Sequence, residues 1–131
     1  MKGLHHVEIW VPDIEEAARS WNWLLERLGL EQTGQWSEGR TWEAGTTYLT
    51  LTTSPNLAAP EHDRRRSGLN HLAFWGGTPG EVDALMGEAP EHGWNPLYHD
   101  RYPHAGGPDH YAGWLENAQG FKVEIAAETD D

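Results

Sequence analysis

The stretch Leu4-His5-His6-Val7-Glu8-Ile9-Trp10 (LHHVEIW, residues 4–10) returns, altered, as Leu69-Asn70-His71-Leu72-Ala73-Phe74-Trp75 (LNHLAFW, residues 69–75). Leu, His and Trp match at the same offsets, and Val/Leu and Ile/Phe match in kind. A repeat of this kind is one supersecondary unit used twice, so it outranks local readings. His6 corresponds to His71, and His5 to Asn70. The sequel repeats too. Pro12-Asp13 opens a helical pattern in the first copy, and Thr78-Pro79-Gly80-Glu81 opens one in the second.

The first helix is expected from about Ile14 to Leu28, with Asp13 as N-cap and Glu15 and Glu16 in its positive first turn. Ala17, Trp21, Leu24, Leu25 and Leu28 recur at helical spacing, and Gly29 is a natural stop. The second helix opens on a capping box, Thr78 to Glu81, with Pro79 in the first turn. Val82, Leu85, Met86 and Ala89 form its stripe, which ends near His92-Gly93. Strands are expected near 31–36, 40–44 and 46–53, and again near 95–99, 111–116 and 120–126. Each half reads β-α-β-β-β. The expectation is one α+β domain over residues 1–131: module 1 over about 1–53, a Pro-, Ala- and charge-rich linker over about 54–67, and module 2 over about 68–131. The long polar segment His99 to Gly113 has the length of a binding loop.

Successive strand side chains alternate faces. Val7, Ile9 and Val11 share one face with His5; Leu4, His6, Glu8 and Trp10 take the other. Leu72 and Phe74 oppose His71, Ala73 and Trp75. Leu49 and Leu51 oppose Tyr48, Thr50 and Thr52, and Phe121, Val123 and Ile125 oppose Lys122, Glu124 and Ala126. One face is apolar and suited to the helices. The other is polar, and mixed sheets curled around it would form a cup. His5 belongs to the helix side or to the frayed start of its strand.

A lone histidine on a strand is ordinarily a hydrogen-bonded structural residue. Two at equivalent repeat positions, with Glu124 on the same kind of face, match a facial set of two imidazoles and a carboxylate. That set suits a divalent transition metal (Fe, Mn, Ni or Zn) and leaves coordination positions open.

Composition narrows the alternatives. The formal net charge of −12 repels phosphate backbones, so a nucleic-acid partner is not expected. The one basic run, Arg64-Arg65-Arg66, reads as a solvated loop. Eight Trp promise aromatic walls. There is no cysteine, hence no thiolate ligand or disulfide. No apolar run approaches the roughly 18–20 residues of a membrane span, and no signal-peptide pattern follows Met1. A cytoplasmic protein without membrane partners is expected.

These motifs resemble the vicinal oxygen chelate superfamily, which includes glyoxalase I, extradiol dioxygenases, fosfomycin-modifying thiol transferases and bleomycin-resistance proteins. The resemblance covers nearly the whole chain. It rests on Leu4-His5-His6 and Leu69-Asn70-His71 as strand openings, on Val11-Pro12-Asp13, and on the closing stretch Asn117-Ala118-Gln119-Gly120-Phe121-Lys122-Val123-Glu124. Asn117 and Ala118 depart from the usual Asp-Pro. The resemblance implies His6, His71 and Glu124 as metal ligands. Glyoxalase-type members carry a fourth ligand, a Glu, where this chain has Thr50. The remaining three-ligand pattern is similar to the extradiol dioxygenases and the fosfomycin thiol transferases, without the potassium or phosphonate cage of the fosfomycin type. Dioxygenase-like chemistry is expected, with a glyoxalase-type lyase/isomerase as the alternative. The implied substrate is a small molecule that chelates the ion through neighbouring oxygens. His110, Tyr111 or Glu8 would move the proton, and Trp10, Tyr48, Thr50 and Trp75 would line the pocket. An alternative of another class is a metal-free, bleomycin-resistance-like binder of cationic drugs. A metal-binding but catalytically idle member is a third. The family's habit of pairing, sometimes by exchanging modules, implies a homodimer.

Overall fold

The computed structural model describes residues 3–129. Residues 1, 2, 130 and 131, which the sequence assigns to the module ends, lie outside the described residues. The chain divides into two units, Met1–Pro60 and Glu61–Asp131. Each holds one four-stranded mixed sheet and one α-helix, so the fold is α+β.

Unit 1 runs β1 (His6–Trp10), α1 (Ile14–Arg27), β2 (Glu31–Trp36), β3 (Gly39–Ala44) and β4 (Thr47–Thr52). Its strand order is β1-β4-β3-β2, with β1 parallel to β4 and the other pairs antiparallel. Unit 2 repeats the plan: β5 (Leu72–Trp75), α2 (Pro79–Glu88), a 3₁₀ turn (Ala89–His92), β6 (Trp94–Leu97), β7 (Ala112–Asn117) and β8 (Lys122–Ala126). The order is β5-β8-β7-β6, again with the first and last strands parallel.

The helix signals act as read. Asp13 accepts from the Glu16 amide at 3.2 Å. Thr78 and Glu81 form the reciprocal capping box. Gly93, at φ 89°, closes the 3₁₀ turn in the left-handed region that favours glycine. The alternation also holds. Ile9, Val11, Leu49 and Leu51 are buried in the unit that holds Trp21, Leu24 and Leu25 of α1. Leu115, Val123 and Ile125 are buried in the unit that holds Val82 and Leu85 of α2. Ser20, which the apolar stripe omitted, is buried as well and hydrogen-bonds Ala17 O.

Three expectations change. First, β5 begins at Leu72, so His71 precedes the strand rather than lying within it. It keeps its face, because Ala73, two residues on, stands opposite Glu124. Second, β6 stops at Leu97, because Tyr98 adopts φ 56° and turns the chain out of the sheet. Third, Arg64 is not a solvated loop residue. Its Nε lies 2.6 Å from Glu116 Oε2, and its side chain is only 22% exposed. His62 stacks on Phe121 at 4.2 Å. The end of the expected linker is therefore packed into unit 2, while Arg65 and Arg66 remain exposed.

The turn before β8 shows why Asn serves where the family has Asp. The Asn117 side-chain oxygen accepts from the Phe121 and Gln119 amides at 2.9 and 3.2 Å. Gly120 sits at φ 86°, and a Cβ there would meet His62 O at 2.9 Å. The turn fixes the start of β8 and, through it, Glu124.

Candidate functional site

In unit 2 the polar face of the sheet gathers His71, His110 and Glu124. Glu124 lies in the middle of β8 and is 7% exposed. Its Oε2 is 2.5 Å from His110 Nε2, and its Oε1 is 3.3 Å from His71 Nε2. A carboxylate only accepts, so the short contact places the His110 proton on Nε2. Gly106 lets the loop cross His110 closely, since a Cβ there would lie 2.8 Å from its Cδ2. Trp114, opposite Glu124 in register, meets the His71 ring edge-to-face at 4.9 Å. A cavity of about 420 Å³ is lined by Trp75, His110, Ala127, Glu128 and Thr129.

Asn70 decides the state of His71. Its amide nitrogen donates to Arg64 O at 3.0 Å, so its oxygen is the group facing His71 Nδ1 at 2.6 Å. His71 Nδ1–H therefore donates to Asn70, and in the neutral ring Nε2 carries a lone pair. That lone pair faces an oxygen of Glu124. A proton on that nitrogen, or a cation between the two atoms, would join them. Two ligands on a tetrahedral ion, each about 2.1 Å away, lie about 3.4 Å apart. His71 and Glu124 thus fit one edge of a metal site.

In unit 1, His5 Nδ1 and His6 Nδ1 are 2.8 Å apart, so one of the two rings donates to the other. His6 stacks flat on Tyr48, its register partner, at 4.7 Å. Glu8 is anchored: its Oε2 accepts from Trp10 Nε1 at 2.7 Å and from Thr52 Oγ1 at 3.3 Å. Thr50 is buried and shares a 2.8 Å hydrogen bond with Thr41. Trp10 and Trp75 are 42% and 70% exposed.

Among the described residues, no group of three or more His, Cys, Asp or Glu side chains is arranged to hold an ion. His110 and His71 address different oxygens of Glu124, which keeps those three donors from converging.

Tyr111 faces a carboxylate of α2. Its hydroxyl donates to Asp83 of α2 at 2.7 Å, on the helix side of unit 2, and Tyr102 donates to the same oxygen. Tyr111 precedes β7, so strand alternation does not govern it; the acceptor on α2 does. The two phenols, Tyr102 foremost, hold Asp83 below its ordinary value of 3.8. Burial and the same hydrogen bond push Tyr102 upward. A lowered carboxyl contributes stability that is present above its unfolded value and lost as pH falls through the folded one. Asp83→Asn is expected to flatten the acid limb of the stability curve below about pH 4, by roughly 1 kcal/mol or less given the exposure. Thermal melts against pH check this.

The βαβββ repeat, with a histidine at or just before the opening strand of each unit and a glutamate in the final strand, defines a protein of the paired-module α+β type. The sequence profile of the Glyoxalase/Bleomycin resistance protein/Dioxygenase superfamily matches residues 5–114, and the chain belongs to that superfamily. It is 38% identical over 125 residues to the uncharacterized protein YqjT of Bacillus subtilis (strain 168), covering 95% of this chain and 98% of that one. A crystal structure of a candidate glyoxalase from Bacillus halodurans is 43% identical, with a TM-score of 0.90 over 98% of this chain and 97% of that one. A more distant likeness, 15% identical with a TM-score of 0.63, covers 98% of this chain and 92% of the other. It is to a mutant of the fosfomycin resistance protein FosX from Listeria monocytogenes, complexed with Mn(II) and 1S,2S-dihydroxypropylphosphonic acid. No helix among the described residues is long and apolar enough to cross a membrane.

Proposed function

We propose that this protein is a metal-dependent enzyme whose small substrate chelates a divalent transition ion through neighbouring oxygens, with dioxygenase-like chemistry. The observation that carries the reading is the His71 tautomer: Nδ1 is tied to Asn70, and Nε2 faces Glu124 Oε1 at 3.3 Å. His71 and Glu124 would hold the ion. The repeat and the family resemblance imply His6 as a further ligand. The Mn(II) in the FosX neighbour is consistent with this chemistry. Thr50, where glyoxalase-type members have a carboxylate, favours the dioxygenase side over the lyase/isomerase alternative.

A bound divalent ion would supply Lewis acidity to the substrate's neighbouring oxygens. The chain's own residues do the rest. His110 holds a proton at Nε2 and, by donating to Oε2, orients Glu124 so that Oε1 stays free. His110 also lines the cavity, and there it would exchange a proton with a ligand. Trp75 walls the same cavity, which suits a flat apolar substrate. The cysteine-free composition fits action in the cytoplasm, and we propose a homodimer on the family's habit of pairing.

Oxygen uptake by ion-loaded protein against a panel of catechols and other vicinal diols tests the activity. The expected result is turnover that needs the ion and falls at least about a hundredfold in His71→Ala, the loss of one protein ligand. Ion bound in stoichiometric amount without turnover of any diol would leave a metal-binding but idle protein. No ion bound would favour the metal-free binder.

A further inference from the structure

Lys122 is one of two lysines in a chain of net charge −12, and it is 9% exposed on the same face of β8 as Glu124. A buried ammonium normally has a carboxylate partner. Among the described residues Lys122 has none. Glu116, directly opposite in register, pairs with Arg64 instead. The Lys122 ammonium donates to the Tyr98 hydroxyl at 2.9 Å and rests over the rings of Tyr98 and Trp114, at 4.9 and 4.8 Å. An ammonium has three N–H donors, and only one meets an oxygen here.

Tyr98 is built for the same purpose. It is the one non-glycine residue with positive φ among the described residues, a conformation that bulky side chains avoid. That turn brings its phenol against Lys122. Its oxygen accepts from Lys122, and its own O–H has no acceptor among the described residues. Two cations, Lys122 first and then Arg64, also draw the phenol below its ordinary range. Nearby, the Trp114 indole N–H is buried without an acceptor. The cluster is rich in donors and short of acceptors.

We infer that Lys122 and Tyr98 form an oxyanion subsite that binds a carboxylate or phosphonate group of the ligand. Lys122 and Glu124 are two residues apart on one strand face, a separation of roughly 7 Å. Trp114 lies between them, touching His71 on one side and Lys122 on the other. The inference deepens the proposed function by naming its substrate class: an acid that carries an anionic group besides its chelating oxygens. It rests on that reading only for the chelating end.

Calorimetric titration of the full chain with phenylphosphonate and with phenylacetate, in excess chelator, tests the subsite without any ion. The expected result is saturable one-to-one binding, weakened at least tenfold in Lys122→Met and several-fold in Tyr98→Phe, and unchanged in His71→Ala. The tighter of the two probes identifies the oxyanion. Should Lys122→Met fail to fold, Tyr98→Phe, which removes a single oxygen, carries the test. No binding of either probe to the wild type, or equal binding to wild type and variants, overturns the subsite. Ion titrations of Lys122→Met run beside it keep the two readings apart. In the wild type, ion binding without oxyanion binding sinks only the subsite. Oxyanion binding without ion binding in the wild type sinks only the metal reading.

Discussion

Glu124→Gln is expected to lower affinity for a divalent transition ion by more than about a hundredfold, beyond what loss of an outer-shell partner costs. The amide keeps the shape of the carboxylate but loses its charge and presents an N–H₂ to one of the two imidazoles it faces. The fold should survive, because replacing a buried carboxylate by a neutral isostere removes a desolvation penalty as well as an attraction. Competition against a chelating dye measures the affinity, and circular dichroism checks the fold. Equal affinity in the variant and the wild type would remove Glu124 from the ligand set.

Trp42→Ala is expected to cost about 3–5 kcal/mol, a large part of the roughly 5–15 kcal/mol that holds a domain folded. Trp42 is fully buried in β3, facing α1, and its indole N–H donates to Asn22 of that helix at 2.9 Å. Truncation opens a cavity and strips Asn22 of its donor. Trp42→Phe retains most of the ring and should cost less, which separates packing from the hydrogen bond. Urea unfolding of the three proteins measures both. A loss below about 1 kcal/mol in Trp42→Ala would show that the site collapses around the missing ring.

The repeat made most of the fold legible. Period-2 alternation in β1, β4 and β8 and the 3.6-residue stripe of α1 reported the same buried face, and the caps at Asp13 and Thr78 carried their own chemistry. Legibility failed where a side chain's aim depends on a residue far along the chain. Tyr111 turns to Asp83 because no strand pattern governs the residue before β7. Arg64 reads as part of a basic triplet, yet its partner Glu116 lies 52 residues on. The polar face of Lys122 was visible, but its contact with Tyr98 depends on a left-handed backbone that no sequence signal announced. Asn70 was visible only as the repeat partner of His5. Its role in fixing His71 emerges from two hydrogen bonds, to Arg64 O and to His71 Nδ1.

Metal content by mass spectrometry, on protein purified without chelator or histidine tag, tests the central claim most directly. The account predicts about one equivalent of a transition metal per chain, lost in His71→Ala. Protein that carries no metal, and takes up none on reconstitution with iron, manganese, nickel or zinc, would contradict it.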